Sequence, residues 1–405
     1  FGAGCGLMKP AQTTTATKAT LVPARLDAET LAKIGFEEVW YSPPVDPSRD
    51  ARDTGAQSVY LLPEGLFVVS LPGAGGQGQI LKRIDLETGT ATWWEAIDGP
   101  IKDAPFAYRY PGDVKSPELF FRIEDTVHCV DLQYGELVWR AAVEPPIATR
   151  VIANETHFFF GSGDGRFYAH EKKNPYLAWQ HVTGGAIYSS PIIAGDQIVF
   201  GSLDGKVYSV TQERGWVKFD SWTTATGARV TADVAQHSRW IFAGSEDYKL
   251  YCIEATDGSV YWSFVAEAPI RDAPVVYTYR PNEEYAFCIA SRGSIANPTR
   301  TLFAVRVPRS GVAPAAVAEW RRENVVKVVG LGRDCVYVLD DPERTGAKTI
   351  SALDVRTGKQ KFQIPVDRFH FVPTNLADAT RTANQVGVIY LVARDGSMQA
   401  IREKR

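Results

Sequence analysis

The chain has 405 residues, of which 22% are charged, and its formal net charge is −3. This near balance of charge argues against a nucleic-acid-binding surface or a long acidic tail. No run of 18 or more apolar residues occurs, so we expect no membrane-spanning helix. Ten Trp, 17 Tyr and 34 Gly suit a protein of strands and tight turns.

The first segment, residues 1–25, is polar and rich in threonine apart from a cysteine near its start. Cys5 follows Ala3-Gly4, a small-residue pair that resembles the lipoprotein box of exported bacterial proteins. In that box the cysteine thiol is acylated and the chain is cut before it. We therefore expect residues 1–25 to be a lipid-anchored tether, with an ordinary free cysteine as the alternative.

Residues 26–36 are expected to form a short helix that acts as a lid on the following domain. Asp27 is placed to cap a helix over residues 28–34, because its carboxylate can accept free N–H groups of the first turn. Gly35 is placed to end it, since glycine tolerates positive φ. Residues 37–405 are expected to form one domain.

From residue 37 onward one pattern recurs about every 40 residues. It contains an alternating strand, an Asp-Gly hairpin turn, a second strand, an Asp-x-x-Thr-Gly-type turn and an aromatic residue. A strand repeat of this length cannot bury its apolar face alone, so copies must stack and close into a propeller. The repeat positions are Asp85, Gly89 and Trp94; Asp131, Gly135 and Trp139; Trp179; Trp222; Gly258 and Trp262; Trp320; and Asp354, Gly358 and Phe362.

The repeat predicts an all-β, eight-bladed propeller of four-stranded antiparallel blades. The aromatic positions account for seven blades, and residues 291–300 are expected to be a hairpin insertion in the longest step. The C-terminal strands, 388–393 and 397–401, lack a following aromatic strand, whereas residues 37–41 are an aromatic strand with nothing before it. Together they are expected to form the eighth blade and to close the ring, which removes the last free sheet edges.

The repeat residues themselves are expected to be structural. The aspartates would accept backbone N–H groups within their turns. The glycines would supply positive φ, and the tryptophans would pack between neighbouring blades.

The Asp-x-x-Thr-Gly turn followed by an aromatic residue resembles the repeat of quinoprotein-type (PQQ-like) propellers, over nearly all of 37–401. That family contains quinone-dependent dehydrogenases. It also contains non-catalytic periplasmic propellers, best known through the lipoprotein B subunit of the outer-membrane β-barrel assembly machinery. Eight blades, a length of 405 residues and a possible lipid anchor resemble the second branch.

For a dehydrogenase site, the resemblance implies calcium, a quinone and a Cys-Cys pair near the loops that enter the innermost strands. The chain has no Cys-Cys. The acidic residues in these loops are Asp103, Asp233 and Asp272, and Lys102 and Arg271 stand beside two of them. Cations beside carboxylates favour ion pairs over a divalent metal, so we expect no catalytic residue, metal or cofactor.

The same loops are expected to carry binding instead. Lys102, Tyr188, Arg229 and Arg271 would surround one mouth of the disc, and Arg and Tyr are enriched at interaction hot spots. The alternative is that the polar groups of these loops only form hydrogen bonds within their own turns. A second expected binding mode is strand addition at the outermost strands near Trp179 or Trp262.

The leading hypothesis is a non-enzymatic scaffold that binds a protein partner on the periplasmic side of a bacterial outer membrane. It would be held there through a lipid on Cys5 and would bind no nucleic acid. The loops at 185–191 and 227–233 lack the Leu-Arg and paired acidic pattern of the family's partner-binding loops, so the partner is not implied. The alternatives are a divergent PQQ-dependent dehydrogenase and a polysaccharide- or peptidoglycan-binding module with aromatic platforms at a groove.

Overall fold

The structure is a computed structural model that describes residues 24–44, 55–72, 78–281, 283–294, 297–308, 315–375 and 387–404. Cys5 lies outside these residues, so its expected acylation stays a prediction.

A short helix of about one and a half turns precedes the propeller, as expected. Helix α1 spans Ala28–Lys33, and the Asp27 carboxylate accepts the Thr30 N–H at 2.8 Å. Gly35 follows with φ of +74°, and Leu31 is buried between the last two blades. No helix among the described residues is long and apolar enough to cross a membrane.

The remainder of the described chain consists of short strands arranged in eight sheets. Strand β1 spans Phe36–Ser42, helix α2 spans Pro342–Thr345 and a 3₁₀ turn spans Pro111–Asp113. The strands of blades 1 to 4 are β2 (Ala56–Leu62), β3 (Gly65–Ser70), β4 (Gln79–Ile84), β5 (Ala91–Ile97), β6 (Phe106–Tyr108), β7 (Glu118–Ile123), β8 (Thr126–Asp131), β9 (Leu137–Ala142), β10 (Ile152–Ala153), β11 (His157–Gly161), β12 (Arg166–Glu171), β13 (Leu177–Val182), β14 (Ile192–Ala194), β15 (Gln197–Gly201), β16 (Lys206–Thr211) and β17 (Trp222–Ala225). The later strands are β18 (Ala235–His237), β19 (Trp240–Gly244), β20 (Lys249–Glu254), β21 (Val260–Val265), β22 (Val275–Arg280), β23 (Glu283–Ser294), β24 (Asn297–Arg306), β25 (Ala315–Ala316), β26 (Ala318–Glu323), β27 (Val325–Leu331), β28 (Cys335–Asp340), β29 (Thr349–Asp354), β30 (Gln360–Pro365), β31 (Val388–Val392) and β32 (Met398–Glu403).

The eight-bladed ring and its closure are confirmed. In each blade the chain runs from an inner strand to an outer strand through antiparallel hairpins. Blade 8 combines β31 and β32 with β1 as its outer strand, in register from Phe36↔Glu403 to Ser42↔Met398. Its inner edge is the segment at Phe371, which bridges Val392. The expected insertion at 291–300 is the extended end of the β23–β24 hairpin.

This topology gives the disc two different faces. The crossover face carries the connections from each outer strand to the next inner strand, together with the turns between second and third strands. The turn face carries the remaining hairpin turns, including the Asp-x-x-Thr-Gly turns. Antiparallel hairpins place these two sets of loops at opposite strand ends.

One contact joins neighbouring blades repeatedly. Among the described residues, five indole N–H groups donate to a carbonyl in the next blade's turn, and each ring lies over the glycine of that turn. A methyl group on Gly135 would come within 2.6 Å of the Trp93 ring, so a side chain there has no room. The donor–acceptor pairs are Trp40–Leu86 (2.9 Å), Trp93–Leu132 (2.8 Å), Trp179–Gln212 (3.1 Å), Trp222–Ala255 (2.9 Å) and Trp320–Val355 (2.7 Å).

The expectation that Trp94 packs between blades is wrong. Trp94 is 50% exposed, whereas Trp93 is 7% exposed and makes the contact with blade 2. A bulge places Trp93 opposite Arg83, as Trp139 lies opposite Cys129 in blade 2. The structural interpretation of the turn aspartates is supported, since each carboxylate accepts two backbone N–H groups at Asp85, Asp131 and Asp354.

The repeat breaks between blades 2 and 3. The turn of blade 3 carries Lys172 and Pro175 where the turn of blade 2 carries Leu132 and Gly135. Proline cannot adopt the positive φ of Gly135, which is +80°. Within the described part of the chain, no carbonyl accepts the indole N–H of Trp139.

Lys172 replaces the missing contact with a buried ion pair. Its Nζ lies 2.5 Å from the Glu118 carboxylate and 3.0 Å from the Tyr110 hydroxyl. Burial alone would raise the pKa of Glu118, but hydrogen bonds from Lys115 and Lys172 hold it below its usual range. Blades 2 and 3 are therefore joined by this ion pair and by a shared apolar cluster, in which Trp139 packs on Phe158 with ring centroids 5.4 Å apart.

We predict that Trp93→Ala lowers the free energy of unfolding by about 3–5 kcal/mol, because it removes a buried aromatic ring and its hydrogen bond. Trp94→Ala is the matched control, with an expected loss of less than about 1 kcal/mol at this half-exposed site. Urea unfolding followed by far-UV circular dichroism measures both. Equal losses for the two variants would contradict the assignment of Trp93 as the inter-blade residue.

Candidate functional site

The crossover face is built on apolar residues that anchor each connection to the preceding blade. Ile187, Val230 and Ile270 are fully buried and lie over glycines at the ends of the second strands. A Cβ atom on Gly161 would lie 2.4 Å from Ile187 Cγ2, and one on Gly201 would lie 2.2 Å from Val230 Cγ1. Each connection therefore leaves its blade in a fixed place.

Aspartates in the turns of the following blades clamp the same connections. Asp204 accepts the Gly184 N–H and Asp247 accepts the Gly227 N–H, each at 2.8 Å. Tyr208 donates its hydroxyl proton to Asp204 at 2.6 Å, and burial together with this carboxylate raises the pKa of Tyr208. These carboxylates have a structural role, because they tie the connections after blades 3 and 4 to the turns of the following blades.

Three of the four expected binding residues lie on three consecutive connections of this face. Tyr188 is half exposed, Arg229 is exposed and Arg271 is partly exposed. The structure links the two arginines through Glu246, whose N–H donates to the Arg229 carbonyl at 2.9 Å and whose carboxylate accepts from Arg271 Nε at 2.9 Å.

Lys102 lies on the same face but apart from the other three. It is on the connection between blades 1 and 2, and its Nζ pairs with Glu124 at 2.7 Å. The structure thus links Arg229 and Arg271 through Glu246, places Tyr188 on the preceding connection and leaves Lys102 apart from them.

Sequence reasoning missed two members of this group, Glu246 and Tyr248. Tyr248 has φ of +72°, in a turn position where blades 3 and 4 carry Gly165 and Gly205 at +83° and +81°. A non-glycine residue held in this region costs free energy, and such residues concentrate at functional sites. A comparison of the turns Ser-Gly-Asp-Gly, Ser-Leu-Asp-Gly and Ser-Glu-Asp-Tyr would have revealed it.

The acidic residues near the axis do not fit a calcium–quinone pair. Asp103 is paired with Arg122 at 2.5 Å. Burial raises the pKa of Asp233 and of Asp272, which favours their neutral forms. The expectation that Lys102 and Arg271 pair with the neighbouring aspartates is wrong, because both pair with glutamates of hairpin turns. Among the described residues, no group of three or more His, Cys, Asp or Glu could hold a metal ion.

The chain folds as an eight-bladed β-propeller, and a family comparison finds that part of it is similar to one PQQ-like family model. The matching family model is described as outer membrane protein assembly factor BamB, and it matches residues 123–229 and 219–281. This stretch contains the connections that carry Tyr188, Arg229 and Arg271. A search of curated proteins found no match.

Solved structures with the same fold include proteins of both branches. BamB from Moraxella catarrhalis is 12% identical, with 91% of this chain and 98% of that chain covered and a TM-score of 0.61. The quinohemoprotein alcohol dehydrogenase from Comamonas testosteroni is 11% identical, with 94% and 78% covered and a TM-score of 0.59. At these identities the likeness concerns the fold alone.

We predict that Tyr248→Gly raises the free energy of unfolding by about 0.5–1 kcal/mol, because glycine adopts positive φ without strain. Gly205→Tyr, the reverse change in the equivalent turn of blade 4, should lower the free energy of unfolding by a similar or larger amount. Chemical denaturation measures both variants. A loss of stability in Tyr248→Gly would identify Tyr248 as a packing residue rather than a strained surface residue.

Proposed function

We propose that this chain is a non-enzymatic, BamB-like scaffold whose crossover face binds a protein partner in an outer-membrane or envelope complex. The observation that carries the proposal is the group of Tyr188, Arg229, Tyr248 and Arg271. These are exposed or part-exposed hot-spot residue types held on clamped connections. Rigid loops lose little entropy on binding, so their contacts convert efficiently into affinity. The family match over 123–281 supports the same part of the ring.

The proposed location is the periplasmic side of a bacterial outer membrane, with Cys5 acylated as the anchor. The resemblance of the segment around Cys5 to a lipoprotein box and the description of the matching family support this location. The polar segment after Cys5 would let the propeller approach its partner without a fixed orientation.

The two alternatives receive less support from the residues. A dehydrogenase is favoured only by the shared fold, because the axial aspartates are paired or pushed towards neutrality by burial. Binding of a polysaccharide requires exposed aromatic platforms, whereas the repeat aromatics Trp222, Trp262 and Trp320 are buried between blades.

Strand addition is a second way in which the scaffold can hold a partner. The outer strand β21 already accepts β25 as a parallel neighbour at Ser263↔Ala315 and Phe264↔Ala316. This part of the blade near Trp262 is therefore occupied by the chain itself. In the part of the chain that the structure describes, β13 near Trp179 has no such neighbour, so it is the better of the two expected edges.

We predict that the wild-type chain retains a specific envelope protein in a pull-down from gently solubilised native membranes. Tyr188→Ala, Arg229→Ala and Tyr248→Gly should each reduce its recovery by about tenfold, which corresponds to the loss of one hot-spot contact. Tyr134→Ala, an exposed tyrosine on the turn face, is the matched control and should bind normally. Quantitative mass spectrometry of the bound proteins measures the effect. Absence of any partner, or equal losses with the control, would contradict the proposal.

Acylation of Cys5 has its own test. We expect mass spectrometry of the N-terminal peptide from cells to show a diacylglyceryl-modified cysteine at position 5 and no residues before it. Cys5→Ala should move the protein from the membrane fraction to the soluble fraction. An unmodified Cys5 in a chain that still carries residues 1–4 would reject the anchor and leave the binding face untouched.

A further inference from the structure

Two clefts adjoin on the turn face, beginning where the repeat breaks. The first has a volume of about 730 Å³, lies between blades 2 and 3 and includes Trp139 in its wall. The second has a volume of about 1020 Å³, spans blades 3 to 5 and includes Phe219. Glu155 and Thr156 line both clefts, so the two form one surface, which we call the turn-face groove.

The groove exists because blade 3 does not cover Trp139. At the neighbouring junctions a glycine turn lies over the indole and a carbonyl accepts its N–H. In blade 3 Pro175 occupies the position of that glycine, and Lys172 is held by Glu118. Trp139, which is partly buried against Phe120 and Phe158, therefore lines the groove, and no carbonyl of the described residues accepts its N–H.

The unpaired charges of the groove are mostly negative. Five carboxylates in its walls make no ion pair with any described residue, namely those of Glu155, Glu171, Asp196, Glu213 and Asp220. Most of the cations in the walls are in ion pairs. Lys115 and Lys172 pair with Glu118, Arg140 pairs with Asp98, and Arg239 pairs with Glu254. Within the described residues, Lys173 and Arg214 are the wall cations without an ion pair.

The carboxylates of two blades converge around one histidine. Glu171 of blade 3 and Glu213 of blade 4 both act electrostatically on His157, whose pKa burial nevertheless lowers below its usual value. Burial thus disfavours the charged form of His157.

Exposed aromatic residues flank these charges. Phe219 is 90% exposed with φ of +74°, and Tyr176 beside Pro175 is 77% exposed. A large exposed apolar side chain next to unpaired charge is typical of an interaction surface.

We propose that the turn-face groove binds an extended cationic segment of a protein partner, with Lys or Arg side chains at the carboxylates and an apolar side chain against Trp139 or Phe219. The groove is at the opposite strand ends from the crossover face. It would therefore hold a second segment independently of the partner proposed above, and failure of this proposal leaves the crossover face unaffected.

The test uses the whole chain and a fluorescent peptide of about eight residues in which Lys alternates with Leu and Phe, long enough for an extended segment. Fluorescence anisotropy at about 0.15 M salt should show binding at least about tenfold tighter than that of the peptide with Glu in place of Lys. Soluble peptidoglycan fragments, which carry carboxylates, should not compete. Equal binding of both peptides, or displacement by the fragments, would overturn the proposal.

Two sets of variants separate the groove from general attraction of opposite charges. The double variant Glu171→Gln and Glu213→Gln should weaken binding of the Lys peptide by about tenfold. Glu87→Gln with Glu136→Gln removes the same charge from turns of blades 1 and 2 and should change binding less than about twofold. Equal effects of the two pairs would overturn the proposal.

Pro175→Gly tests the groove without changing its charge. Glycine restores the turn of the other blades, so the turn should cover Trp139. Binding of the Lys peptide should then weaken by about fivefold, which corresponds to the loss of one apolar contact. Circular dichroism and recovery of the crossover-face partner check that the variant is folded. Unchanged peptide binding by this folded variant would show that Trp139 is not part of a ligand site.

Discussion

The closed ring depends on the packing of an indole from one blade against the glycine turn of the next. This contact buries a large apolar surface, satisfies the indole N–H and admits no side chain at the glycine. The same contact between Trp40 and Gly89 joins the last blade to the first. Closure therefore uses the interaction that also holds neighbouring blades together along the chain.

Because each junction is a separate local contact, one junction can change while five others keep the indole on the glycine turn. Lys172 and Pro175 alter the junction of blades 2 and 3, and the buried pair with Glu118 replaces what the indole would have supplied. A buried ion pair is a weaker source of stability than apolar packing, since desolvation offsets most of its attraction. The chain thus keeps blades 2 and 3 together without packing an indole on a glycine turn.

The fold was predictable because its repeat is local, and the closure because the two partial blades complement each other. The choice between Trp93 and Trp94 was not predictable from spacing, since a one-residue bulge decides which indole faces the neighbouring blade. The pairing of Lys172 with Glu118 also could not be predicted from the sequence, because it depends on how two blades pack against each other. The unusual backbone position of Tyr248 could have been predicted from the sequence, since glycine occupies the same place in the turns of blades 3 and 4.

The pairing of β1 with β32 sets an order on folding. The first strand of the propeller to leave the ribosome has as its partner the last, so Phe36 meets Glu403 only after β32 has been synthesised. Contacts of such long sequence separation form slowly because a large loop must close first. Until then both ends of the stack expose unpaired strand edges and apolar surface, which are sites for aggregation or for a chaperone.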